Sequence, residues 1–253
     1  MRDGITAGIA AAAVLAATGI AHADELQLLS AASMQTVFKE IVSDFEGRSG
    51  HKVSLRYSTM GAITERVKAG ERADLVISSP ASISALVASG KLTAGSEVTI
   101  AKTGIGIIVP AGSPNPRIES VADFRRALLD ARVVVYANPA GGGAAGIHIA
   151  RVIQTLGLSD PLKAKTKFGA GGDVTEVTLA EGPGALGLTQ VSEIVGKPGA
   201  QFIPVPDALQ NYTGFVAATP ARAKESPAAK AFIEFLKTPE AAAVMRDKGM
   251  QVN

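Results

Sequence analysis

Short apolar runs alternate along this chain with longer stretches in which apolar residues recur every three or four positions. The short runs at 26–29, 53–57, 75–77, 105–109, 133–136, 186–188, 202–205 and 215–217 predict strands. The stretches at 34–45, 63–69, 81–88, 121–129, 147–156, 174–180, 228–236 and 240–248 predict helices, punctuated by Gly and Pro. Alternation at this density predicts an α/β fold built on mostly parallel sheets flanked by helices. Ligands of such folds sit at the carboxyl ends of strands.

Three of the predicted strand ends, and Phe168 in a fourth place, share a further feature. Each runs into a turn of small residues before a helix begins: Ser30-Ala31-Ala32-Ser33, Ser58-Thr59-Met60-Gly61, Asn138 through Gly146, and Gly169-Ala170-Gly171-Gly172-Asp173. The start of a helix exposes unpaired backbone N–H groups and the positive end of its dipole, and small side chains let a ligand approach the main chain. Four such turns predict a receptor that holds a small anion with backbone and hydroxyl donors instead of salt bridges.

Composition narrows the class. Met1-Arg2-Asp3, the apolar stretch 5–20 and Ala21-His22-Ala23 read as a cleavable signal peptide spanning 1–23, with export to the periplasm and a mature chain starting near Asp24. The stretch is rich in Ala and Gly and lacks the roughly 20 strongly apolar residues of a membrane span, so no span is expected in the mature chain. About 230 residues remain, enough for two lobes with separate cores. There is no cysteine, which removes disulfides, thiolate metal sites and thiol nucleophiles. A formal net charge of +2 is too mild to point to nucleic acid. Stretches 99–106 and 210–214 are the expected crossovers, giving one lobe from 24–103 plus 214–253 and a second from 104–213. The tract 141–146 lacks the G-x-G-x-x-G context of a dinucleotide site, and no cofactor is expected. His51 and His148 alone remain after cleavage, too few for a histidine-based metal site.

Specific stretches carry a family likeness. Leu28-Leu29-Ser30-Ala31-Ala32-Ser33, the run A-G-x-x-A-D-L-x-I-S at 69–78, Ala144-Ala145-Gly146-Ile147 and the closing segment 231–242 resemble the periplasmic molybdate-binding proteins of ABC importers, in order and spacing over nearly the whole mature chain. The resemblance implies a type II two-lobed periplasmic binding protein fold, expected as a monomer, with a small anionic ligand in the cleft and an ABC permease as partner. It also implies an oxyanion site of serine hydroxyls, backbone amides and a tyrosine hydroxyl. Carried over position by position, one serine falls on Ser33. The second falls within Thr59, Met60 and Gly61, with methionine at the centre. The backbone donors fall near Ala145 and Val174, and the tyrosine position holds Gln190. Asn138 opens the third small-residue turn and joins the candidate ligand contacts.

Met60 offers no hydroxyl, and a hydrogen bond to a charged group contributes about 1.5–3 kcal/mol. Gln190 both donates and accepts, which suits a carboxylic or hydroxy acid better than a bare tetraoxyanion. The expected ligand is therefore a small carboxylate in preference to molybdate; Met60 as plain packing would leave Thr59 or Gly61 to supply the donor for an oxyanion. Aconitate isomerase, an enzyme that resembles the same binding proteins, is the alternative reading. Its allylic proton shift needs a base beside the ligand. His148, three residues beyond Ala145 on a predicted helix face, is the first candidate, followed by Asp173 and Glu176. Arg56, Arg66 and Lys102 lie near predicted cleft or crossover segments and read as solvated surface.

Overall fold

A computed structural model describes residues 24–223 and 226–252 of the chain. The expected leader, 1–23, lies outside the described residues. Ten strands form two five-stranded sheets. The first contains β1 (Glu25–Ala31), β2 (Lys52–Ser58), β3 (Leu75–Ser78), β4 (Val98–Thr103) and β10 (Thr213–Ala218), in the order β2-β1-β3-β10-β4. The second contains β5 (Ile105–Pro110), β6 (Val133–Ala137), β7 (Thr166–Gly169), β8 (Ala185–Gln190) and β9 (Ala200–Pro204), in the order β7-β6-β8-β5-β9.

Both sheets are mixed, and in the same way. β1 is parallel to β2 and β3, and β6 is parallel to β7 and β8, because a helix connects each strand to the next. The strands at the crossovers run against them: β10 is antiparallel to β3 and β4, and β5 to β8 and β9. The parallel strands are buried on both faces, which is why Leu-Val-Ile-Ser of β3 and Val-Val-Val-Tyr-Ala of β6 are continuous apolar runs rather than alternating ones.

The stretch 99–106, expected as a crossover, is mostly strand. β4 occupies it and only Gly104 separates β4 from β5. At the other crossover, the side chain of Gln210 imitates a neighbouring strand: its Oε1 accepts from the Ile105 N–H at 2.6 Å and its Nε2 donates to the Ile105 carbonyl at 3.1 Å. A Cβ on Gly104 would sit 2.9 Å from Gln210 Oε1, so the two crossovers meet at a glycine for lack of room.

Each sheet carries its own core. The first is filled by β1 and β3 with α1 (Gln35–Ser49), α2 (Met60–Lys68), α3 (Pro80–Ala88), α8 (Pro227–Leu236) and α9 (Pro239–Asp247). Phe232 of α8 stands edge-on to Phe38 and Phe45 of α1, at 5.8 and 5.0 Å between ring centroids. The C-terminal helices thereby return to the first sheet. The second core lies mainly among α4 (Val121–Asp130), α5 (Ala144–Thr155), α6 (Ser159–Lys163) and the apolar face of β5, β6 and β8, with α7 (Val174–Glu181) covering the other face. Thr59, Ser79, Ser120, Ser226 and Thr238 cap α2, α3, α4, α8 and α9 by accepting from a backbone N–H. Among the described residues no helix is long and apolar enough to cross a membrane.

Candidate functional site

Three of the starts that face the gap between the two sheets carry no side-chain cap: those of the short turn Ala32–Met34 before α1, of α5 and of α7. Their first N–H groups remain available to something else. These starts, with that of α2 and the end of β8, enclose one cavity lined from the first sheet by Ala31, Ala32, Ser33, Ser58, Thr59 and Met60. From the second sheet come Ala137, Gly143 to Gly146, Gly171, Gly172, Thr189, Gln190 and Glu193. A water-sized sphere can place its centre in about 40 Å³ of it. All four small-residue turns converge here, and no lysine, arginine or histidine is among the lining residues.

Glycine makes this convergence sterically possible. A Cβ on Gly146 would lie 2.4 Å from the Ala137 carbonyl oxygen, so α5 starts against the end of β6 only because that residue has no side chain. Across the cavity, the Gly61 N–H donates to the Gly142 carbonyl at 3.3 Å, and a Cβ on Gly61 would stand 3.2 Å from the Gly142 Cα. The Thr59 hydroxyl donates to the Gly141 carbonyl at 2.5 Å, and Ser192 Oγ donates to the Ser33 carbonyl at 3.1 Å. The two sheets are thus drawn together around the cavity.

The candidate ligand contacts fall as follows. Ser33, Thr59, Met60, Ala145 and Gln190 line the cavity. Ser33 is 7% exposed and its hydroxyl caps no helix, the N-cap position there being Ala31. Met60 packs into the first core as well as facing the cavity. Gly61 is a bridge between the two halves rather than a lining residue, and Asn138 is turned to its own loop, where Oδ1 accepts from the Ala140 N–H at 3.0 Å. Val174 is fully buried as the first residue of α7. Gln190 is 3% exposed, and its Oε1 is a buried acceptor with no hydrogen-bond partner.

The three candidate bases lie outside the cavity lining. His148 sits one turn beyond the start of α5, where its Nε2 meets the Leu209 carbonyl at 2.9 Å in a separate apolar pocket with Phe124, Val152 and Val205. Helical spacing put it on the face of Ala145, but only the first turn of α5 reaches the cavity. Asp173 accepts from the Gly171 N–H at 3.1 Å, ordering the turn before α7. Glu176 is paired with Lys197 on the surface. Arg56 and Arg66 are both paired to Glu71, and Lys102 lies over the Tyr212 ring.

The residue that spacing missed is Glu193. It ends the turn Val191–Glu193 after β8, lines the cavity, and is 8% exposed. Its Oε2 accepts from the Thr189 hydroxyl at 2.6 Å, and the Thr175 hydroxyl holds its backbone carbonyl at 2.9 Å. Burial pushes its carboxyl up to about 7; the Thr189 hydrogen bond and Lys197 pull the other way, while Glu176 and Asp173 add to the rise. The signal in the sequence was the pair Thr189 and Glu193, two polar residues flanking a turn at the end of a buried strand, each able to satisfy the other.

Known proteins agree with this architecture. The chain is 28% identical over 233 residues to an aconitate isomerase from Pseudomonas sp, covering 89% of this chain and 87% of that protein. It is equally 28% identical over 230 residues to the molybdate-binding protein ModA of Rhodobacter capsulatus, covering 90% and 89%. The periplasmic molybdate-binding protein of Azotobacter vinelandii superposes with a TM-score of 0.78 at 19% identity, over 90% of this chain and 99% of that one. The model of the bacterial extracellular solute-binding protein family matches residues 26–251, nearly everything described, and the chain belongs to that family.

Proposed function

We propose that the protein is a periplasmic solute-binding protein that captures a small anion, a carboxylate in preference to molybdate, between lobes formed by 24–103 plus 214–253 and by 104–213. The observation that carries this reading is the cavity itself: uncapped helix starts from both sheets and the Ser33 hydroxyl face a space with no cationic side chain. Helix starts stabilise an anion there without a formal positive charge, each by about 0.3–1 kcal/mol when exposed and more where water is excluded. Met60 and Gln190 argue for the carboxylate. Met60 offers no hydroxyl, and Gln190 brings an amide that can accept as well as donate, which suits a ligand carrying a hydroxyl or a protonated carboxyl. On this reading the protein acts as a monomer, and its membership of a solute-binding family supports delivery of the solute to an ABC permease.

One observation favours a second reading, an aconitate isomerase. Besides the relative of that name, the cavity holds one carboxyl able to take and return a proton near neutrality, Glu193. In such a shift the carboxylate removes a proton from one end of a three-carbon allylic unit. The double bond moves by one position, and the same proton returns to the other end, so atoms and charge balance.

Melting scans of the protein purified without 1–23, with cis-aconitate, trans-aconitate, citrate, molybdate and sulfate, test the first reading. Proton NMR of the two aconitates over time tests the second. Stabilisation by a carboxylate with unchanged spectra supports the receptor, and appearance of the other isomer supports the enzyme. Stabilisation by molybdate alone overturns the preference for a carboxylate.

A further inference from the structure

A second feature of the cavity is chemically odd for a site that takes an anion: an acid faces it. Glu193 uses one carboxyl oxygen, accepting from Thr189, while Oε1 makes no hydrogen bond to the described residues. No cation among the described residues forms an ion pair with it. Lys197 is the one that acts on it, and it is engaged by Glu176. The other groups around it are the carboxylates of Asp173 and Glu176 at the start of α7, the Thr189 hydroxyl on β8, and Ser192, whose hydroxyl is committed to the Ser33 carbonyl. From the first sheet, Lys248 at the end of α9 approaches Gly196 but is paired with Glu40. Gln190, next to Thr189 at the end of β8, is uncharged, and its Oε1 has no hydrogen-bond partner among the described residues.

An anion entering this space meets a carboxyl group nine-tenths buried, and two like charges at contact distance in a dry site cannot both persist. We propose that the cleft binds its anion together with one proton, held between Glu193 Oε1 and the nearest oxygen of the ligand. The inference rests on the reading of this cavity as an anion site. It adds the ligand class: oxyanions of weak acids, carboxylates above all, whose oxygens share a proton well, over those of strong acids such as sulfate. The upward displacement of the Glu193 carboxyl by burial fits this, because the ligand then finds the proton nearly in place at neutral pH.

The test is titration calorimetry with cis-aconitate, trans-aconitate, citrate and molybdate at pH 6, 7, 8 and 9, each in two buffers of different ionisation enthalpy. The expected result for the ligand that binds is uptake of close to one proton per site at pH 8, with Kd flat at low pH and rising by up to about tenfold per pH unit above pH 7. The Glu193→Gln variant keeps a neutral hydrogen-bonding group there and is expected to bind with a flat pH profile and no proton uptake. Binding by the unaltered protein with no proton uptake overturns the inference and leaves the receptor standing. Proton uptake that persists in Glu193→Gln assigns the proton elsewhere and overturns it too. Failure of all four probes to bind at every pH overturns both the inference and the reading beneath it.

Discussion

Replacing Glu193 by glutamine isolates the energetic cost of its burial without any ligand. The carboxyl is raised from 4.5 to about 7, chiefly by desolvation. At about 1.36 kcal/mol per pKa unit, this corresponds to about 3 kcal/mol. The sign follows from which state holds the proton. Below pH 4.5 both folded and unfolded chains carry it, and no penalty exists. As pH rises towards 7 the unfolded chain loses the proton first, so folding has to take one up and stability falls. Above about 7 the full cost is present. The amide of the Glu193→Gln variant carries no charge at any of these pH values but still accepts from Thr189, which keeps the comparison to the ionisation alone. The difference in stability between the variant and the unaltered chain is therefore expected to shift by about 3 kcal/mol in favour of the variant between pH 4.5 and pH 8. For a chain of this size that is a relative gain of roughly 6–12 °C in melting temperature. All other titrating groups are common to both chains and cancel. Melting curves of the two that run parallel across this window would refute the account of a buried, unpaired acid.

Three other perturbations follow from the geometry. Ser33→Ala removes the hydroxyl that faces the cavity without disturbing a helix cap, and is expected to weaken the bound ligand by about 1.5–3 kcal/mol in calorimetry while leaving the melting temperature of the empty protein unchanged. Gly146→Ala forces a Cβ to within 2.4 Å of the Ala137 carbonyl oxygen, so it is expected to destabilise the protein by about 1–3 kcal/mol in urea unfolding; a neutral effect would mean that α5 is not seated as described. His148→Ala, which touches Leu209 and not the cavity, is expected to leave ligand affinity and any aconitate turnover intact, whereas loss of turnover at normal affinity would restore it as the base.

Much of the fold was legible because its strands are buried on both sides. Runs such as 133–136 and 75–77 stand out against the helical spacing around them. β4 was harder: Val98-Thr99-Ile100-Ala101-Lys102-Thr103 is an edge strand with two exposed positions, and its antiparallel partner β10 lies over a hundred residues away. The convergence of the small-residue turns could be read from composition alone, since small side chains at strand ends have a local cause. Glu193 could not. A glutamate after a strand is ordinary on a surface, and only the packing of α7 and the closeness of Ser33 bury this one. His148 failed for the opposite reason: periodicity identifies a helix face but not how far along the axis a cavity extends.

The junction at Gly104 and Gln210 limits how such a molecule can open. Both connections pass through one spot, and Gln210 holds Ile105 by its N–H and its carbonyl together. Both residues belong to 104–213, so these bonds survive any movement of one half against the other and keep the two connections side by side. Parting the two halves would turn them about this one junction, as about a single jaw joint, and would separate contacts that span the two sheets, such as that of Gly61 with Gly142. A bulky side chain at 104 would press on Gln210 and disturb this junction without touching the cavity.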